Sequence, residues 1–240
     1  MPEQLLLLPG WGLGQAPLQP LAERLSGRFS VRIEALPALA TAEPEAWLDA
    51  LDARLPTDSW LAGWSLGGML ASALAARRGE RCRGLLTLAS NACFVARATW
   101  PAAMPSATFA AFRAACASDE RATLKRFASL CSQGAADARQ LSRRLLAAAP
   151  EPLPGTLLAG LDLLHSLDGR AALRAFAGPQ LHLLAGQDAL LPASAAEALR
   201  AFLPAAEVRQ LEGASHAGVV ERADEVAQTL VRFISEAGHA

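Results

Sequence analysis

Gly63-Trp64-Ser65-Leu66-Gly67-Gly68 follows the apolar run Trp60-Leu61-Ala62 and precedes Met69 to Ala76, which reads as a helix. Strand, sharp turn and helix, with a serine at the apex, is the setting in which G-x-S-x-G becomes a nucleophile elbow. Gly63 and Gly67 have no Cβ, so the chain can turn tightly enough to force Ser65 into an unfavourable backbone conformation with its hydroxyl presented outward. The helix that follows aims free amides and the positive end of its dipole at the same point, where an oxyanion could be held. A Gly-rich strand-to-helix turn that binds a phosphate is the alternative reading of this stretch alone.

Working outward, Gln4 to Leu8 is a short apolar run closed by Pro9-Gly10, as expected of a strand buried on both faces of a parallel sheet. Helices are expected from about Leu18 to Leu25 and from Pro44 to Leu55, and strands at Val31 to Leu36, Ser59 to Ala62 and Gly84 to Ser90. That alternation predicts an α/β fold whose mostly parallel sheet carries helices on both faces through right-handed crossovers. From 92 to 167 the pattern changes to helical spacing. Phe109, Phe112 and Cys116 stand at i, i+3 and i+7, Leu124, Phe127 and Cys131 repeat the interval, and Leu141 and Leu145 differ by four. We therefore expect residues 92–167 to be a helical lid inserted in a core domain formed by 1–91 and 168–240. Strands resume at Gln180 to Ala185 and Val208 to Leu211, with helices at Ser194 to Phe202 and Ala223 to Ser235 and a frayed tail carrying His239.

The bulk numbers exclude several classes. The chain has 240 residues, 52% hydrophobic and 19% charged, enough for a sizeable core and too apolar for disorder. With 22 basic against 23 acidic side chains there is no global attraction to nucleic acid or an anionic membrane. Leu5 to Leu8 is too short to span a bilayer, and no basic-then-apolar leader opens the chain. Cys82, Cys93, Cys116 and Cys131 form no C-x-x-C pair, so free thiols and a cytoplasmic location are expected. The four histidines have no partners at metal-ligand spacing, and neither metal nor cofactor is expected.

A serine hydroxyl needs a base, and the base an orienting acid. Asp188 follows the strand ending at Ala185, and His216 follows the last strand, so the order Ser65, Asp188, His216 matches that of α/β-hydrolases, with all three at the carboxyl edge of the sheet. Each has a plainer reading: Asp188 could cap the following helix, and His216 could be a surface loop residue. Asp162 and Asp168 are alternative acids, but they belong to the helical segment and its exit. His182 sits inside a strand and reads as structural, and His165 lies in the insertion. The oxyanion donors expected are the backbone amides of Leu66 and of Trp11, in the loop after the first strand; the Trp11 indole could simply be a core aromatic.

Leu-Pro-Gly-Trp-Gly at 8–12, Gly-Trp-Ser-Leu-Gly-Gly at 63–68, Ala-Ser-Asn-Ala-Cys-Phe at 89–94 leading to Trp100-Pro101, Gly-Gln-Asp at 186–188 and Ala-Ser-His-Ala at 214–217 form a set. Together they resemble the pimeloyl-[acyl-carrier protein] methyl ester esterases of biotin synthesis, an α/β-hydrolase family, over nearly the whole chain. The resemblance implies cleavage of the methyl ester of a pimeloyl chain attached to acyl-carrier protein, through an acyl-enzyme on Ser65. It implies that Trp11, Phe127, Leu130 and Cys131 contact the substrate, although the last three could equally be ordinary lid core. It also implies that Arg126, Arg139 and Arg143 meet the acidic carrier and its phosphate. A monomer is expected, although the sequence does not reveal the oligomeric state. Arg121 with Lys125, and Arg139 with Arg143, are i,i+4 pairs, which a plain solvated face would also show. Pro9 stands where the family commonly has histidine, and the chain begins almost at the first buried strand, so a shorter sheet edge is expected. The other readings are a general short-chain carboxylesterase, a C–C or thioester hydrolase or lyase of the menaquinone type, and a non-catalytic binding protein on a hydrolase fold.

Overall fold

Leu5 to Leu8 are four consecutive leucines with 0 to 1% exposure, and a strand with no solvent face must lie between neighbours on both sides. In the computed structural model, which describes residues 2–238, they form β1 (Gln4–Leu8). After it come α1 (Gln19–Leu25), β2 (Ser30–Ile33), α2 (Pro44–Asp52), β3 (Ser59–Trp64), α3 (Leu66–Arg78) and β4 (Cys82–Leu88). Four helices then intervene, α4 (Ser106–Ser118), α5 (Glu120–Ser132), α6 (Ala138–Ala147) and α7 (Thr156–Ser166). The chain ends with α8 (Arg170–Ala175), β5 (Gln180–Ala185), α9 (Ser194–Phe202), β6 (Glu207–Leu211), the single turn α10 (Gly218–Glu221) and α11 (Ala223–Ala237). His239 lies outside the described residues.

The six strands form one sheet in the order β2-β1-β3-β4-β5-β6, and every pairing is parallel. The chain steps from β1 outward to β2, then returns past β1 and proceeds the other way from β3. Right-handed crossovers put the helices of the two directions on opposite faces. The packing agrees: α1 lies against α11, whereas α3 lies against α2 and α8. The reversal between β1 and β3 opens a crevice at their carboxyl ends, where open α/β sheets bind ligands.

β2 stops at Ile33 rather than Leu36, because its partner β1 ends one residue beyond the Leu7–Ile33 pairing. β3, by contrast, continues to Trp64, since β4 stays in register through Leu88. Beyond β2 the sheet has no further strand among the described residues.

The helical segment is tied down where it leaves and rejoins the sheet. Gly169 N–H donates to Ala92 C=O at 2.7 Å, and Arg97 donates to the carbonyls of His165 and Ser166 at 2.9 and 3.1 Å. Arg170 binds Asp168 and the Thr99 hydroxyl, and the Cys93 thiol donates to Asp168 at 3.4 Å. All four cysteines are free and buried, and burial raises the Cys82, Cys93 and Cys116 thiols to about 11. They are packing groups rather than nucleophiles. Among the described residues no helix is long and apolar enough to cross a membrane.

His182 is the buried histidine of β5, with Nδ1 2.7 Å from the Thr87 hydroxyl of β4. Burial lowers its pKa from 6.5 to about 4, so the unfolded chain takes up this proton before the folded one does. The stability involved is therefore complete above pH 6.5 and is lost as the pH falls toward 4; two and a half units correspond to about 3 kcal/mol. Urea unfolding at pH 7 and pH 4.5 should show His182→Gln, less stable at neutral pH, losing about 2 kcal/mol less than the parent on acidification.

Candidate active site

Ser65 joins β3 to α3 with φ 55° and ψ −118°, a conformation L-residues rarely adopt and that costs on the order of 1–3 kcal/mol. The surroundings hold it there. Its N–H donates to Leu88 C=O at 2.9 Å, and its own C=O accepts from Gly68 N–H at 2.9 Å and from the Ser90 hydroxyl at 2.9 Å. The turn is also compressed: a Cβ on Gly63 would stand 2.1 Å from Gly67 O, and one on Gly67 would stand 2.3 Å from Leu8 O. The start of α3 thus rests directly on the end of β1, and only glycine permits that approach.

Asp188 lies in the loop after β5 and His216 in the loop after β6, so both reach the edge that bears Ser65. His216 Nδ1 is 2.7 Å from Asp188 Oδ2, with side-chain exposures of 0 and 3%. The other carboxylate oxygen, Oδ1, accepts from the N–H groups of Leu190 and Leu191 at 2.8 and 3.0 Å, which fixes the acid in place. An ionised carboxylate only accepts, so the proton between the two sits on Nδ1 and the lone pair on Nε2. That Nε2 is buried and has no hydrogen-bond partner among the described residues; the Ser65 hydroxyl does not bond to it in this structure. A buried unmet polar atom costs about 1–3 kcal/mol, a cost sites of proton transfer commonly carry. Trp64, the residue before the serine, links the two loops: its indole N–H donates to His216 C=O at 2.9 Å.

Trp11 is 2% exposed, and its indole N–H donates to Leu157 C=O at 2.8 Å, so the ring is committed to holding α7. Trp11 and Leu66, the first residue of α3, line one cavity of about 220 Å³ with Gly10, Trp47, Leu157 and Gly160. The N–H of a first helical residue has no acceptor within the helix, so the Leu66 donor remains available. Phe127 packs edge-on behind Trp11 with centroids 4.9 Å apart and does not line this cavity. Leu130 is half-buried, and Cys131 is fully buried with its carbonyl accepting from Ala217 N–H at 3.0 Å. Among the four residues expected to meet substrate, only Trp11 borders the cavity.

The competing groups are occupied elsewhere. Asp162 pairs with Arg113, and Asp168 with Arg170, whose guanidinium holds that carboxyl far below the usual range. His165 stacks against Phe109 in the helical segment. Arg121, Lys125, Arg126, Arg139, Arg143 and Arg144, on α5 and α6, are all exposed, and none forms an ion pair among the described residues. Three features had no local signal in the sequence: the Trp64 indole bond, the α7 anchor for Trp11, and Glu221, whose carboxylate binds Ser215 beside the histidine.

The alpha/beta hydrolase family profile matches residues 5–229. The chain is 38% identical over 219 residues to the biotin biosynthesis bifunctional protein BioHC of Cellvibrio japonicus, a match covering 89% of this chain but 44% of that longer protein. It is 36% identical over 241 residues to the pimeloyl-[acyl-carrier protein] methyl ester esterase of Xanthomonas oryzae pv. oryzae, covering 96% of this chain and 94% of the relative. Among solved structures, bromoperoxidase from Bacillus anthracis superposes with a TM-score of 0.82 at 16% identity, over 98% of this chain and 92% of that one, a likeness of fold.

Gly67→Ala sets a methyl group against backbone rather than a side chain that could turn away. It should lower stability by at least about 3 kcal/mol and abolish labelling of Ser65 by a fluorophosphonate, whereas Gly213→Ala, which meets nothing within 4 Å, should cost about 1 kcal/mol of backbone strain and keep labelling. Thermal melts and intact-protein mass spectrometry read both.

Proposed function

The chain belongs to the alpha/beta hydrolase family, in the group of the pimeloyl-[acyl-carrier protein] methyl ester esterases, and on that premise we propose that it hydrolyses the methyl ester of pimeloyl-acyl-carrier protein by a Ser65-His216-Asp188 triad. The observation that carries the proposal is the His216 ring: Nδ1 is held on Asp188 at 2.7 Å, and Nε2 is buried with an unused lone pair. Such a ring takes a proton from a hydroxyl that approaches it, provided the charge it gains is balanced, and Asp188 balances it.

In this mechanism Ser65 Oγ attacks the ester carbonyl while its proton passes to His216 Nε2. The negative charge formed on the carbonyl oxygen is held by the N–H groups of Leu66 and Trp11. Collapse of the tetrahedral intermediate breaks the bond to the methoxy oxygen, which leaves as methanol with the proton from Nε2. A water molecule then gives a proton to His216, attacks the acyl-enzyme and releases the pimeloyl carboxylate, and Ser65 recovers its proton. The steps above use only this chain's side chains, two backbone amides and water.

The helical segment serves as the lid. The Trp11 cavity suits a methylene chain, since its lining is mostly tryptophan, leucine, proline, alanine and glycine, with Glu151 and Thr156 the two polar side chains among the described residues. Support for a carrier-linked substrate comes from charge. Eleven arginines of the chain sit in ion pairs, whereas the six cations of α5 and α6 stand exposed and unpaired among the described residues. A surface that leaves cations uncompensated favours an acidic partner and its phosphodiester, with Arg126, Arg139 and Arg143 as the contacts. A small free ester would need no such surface.

Ser65→Ala should remain folded and lose about 10⁴-fold or more in kcat on the carrier-linked methyl ester, as removal of a triad member does. Reversing Arg139 and Arg143 to glutamate should raise KM for that substrate about tenfold and leave p-nitrophenyl acetate within twofold. Equal losses on both substrates would count against carrier docking.

A further inference from the structure

The histidine loop is anchored residue by residue. Ser215, His216 and Ala217 are all buried completely, and each is bound by a different part of the chain. His216 C=O accepts from the Trp64 indole at the end of β3, and Ala217 N–H donates to Cys131 C=O in the last turn of α5. Ser215 donates twice to one oxygen, Glu221 Oε1: through its N–H at 2.7 Å and through its hydroxyl at 2.6 Å.

Glu221 ends α10, the single turn that begins two residues after the histidine, so its side chain folds back across the loop and closes it into a ring. Bonds to an ionised carboxylate are shorter and roughly twice as strong as neutral ones, and these two hold the residue directly before His216. Without that acceptor, Ser215 would leave a buried N–H and a buried O–H unmet, at about 1–3 kcal/mol, unless the loop moved to reach water. Movement there carries the imidazole with it, away from Asp188 Oδ2.

We infer that Glu221 is a positioning residue for His216, acting through Ser215 to keep the ring in line with Asp188. The inference builds on the proposed esterase mechanism, but the geometry it concerns can be observed without turnover. Displacements near 1 Å cost on the order of 100-fold in rate, which sets the scale of the effect.

The test compares Glu221→Ala, Glu221→Gln and Ser215→Ala by kcat and KM on p-nitrophenyl acetate and by the low-field proton NMR signal of the His216 Nδ1–H held on Asp188. Glu221→Ala should lower kcat by about 10- to 100-fold with KM within twofold, and broaden or abolish the signal. Glu221→Gln keeps an oxygen able to accept both bonds and should restore kcat to within about threefold of the parent, with the signal present. Ser215→Ala removes one of the two bonds and should fall between them, which keeps the comparison readable if Glu221→Ala does not fold. An unchanged signal and kcat in Glu221→Ala, or a loss in Glu221→Gln as large as in Glu221→Ala, would overturn the inference. If the parent protein hydrolyses no ester, the esterase proposal fails, while the response of the NMR signal still decides the role of Glu221.

Discussion

The contact between the first turn of α3 and the end of β1 governs the rest of the site. Because Gly67 lets α3 settle on Leu8 and Pro9, the β3–α3 turn closes sharply enough to lock Ser65 at φ 55°. The same contact brings the Trp11 loop beside Leu66, since Pro9 and Gly10 continue from the strand on which the helix rests. The proposed nucleophile and the proposed oxyanion donors therefore depend on one backbone approach, made at the point where the sheet reverses its direction of winding.

The remaining polar groups are arranged by subtraction. Asp188 spends its oxygens on two amides and one imidazole, Trp64 spends its indole on the His216 carbonyl, and Glu221 spends one oxygen on Ser215. Of the two ring nitrogens of His216, these bonds leave Nε2 buried and without a partner among the described residues. In the proposed mechanism this arrangement keeps the base from being consumed by its own framework. On α5 and α6 the helical segment follows the opposite rule, its cations unpaired among the described residues, while the arginines at its base, Arg97 and Arg170, hold its two ends against the core.

Much of this was legible in the sequence because the relevant features are local. The strand-turn-helix around Ser65, the two loops after β5 and β6 and the periodic helices from Phe109 to Leu145 are set by a few adjacent residues each. What was not legible is what a partner decides. β2 ends with β1 and β3 continues with β4, facts of register that no single strand encodes. Phe127 and Cys131 have the right spacing to face inward, but spacing alone does not distinguish the wall of a cavity from the layer behind it, and it is Trp11 that borders the cavity at Leu66. Glu221 was invisible for a similar reason: an acid five residues after a histidine is unremarkable until a one-turn helix folds it back onto Ser215.

The account turns on a covalent bond to Ser65. Mixing the protein with p-nitrophenyl acetate, quenching in acid within the first turnover and mapping the modified peptide by mass spectrometry tests this directly. A burst of nitrophenol matched by an acetyl group on Ser65 is the result expected. Turnover of the ester with no acetyl group trapped, or with the acetyl group on any other residue, would contradict it.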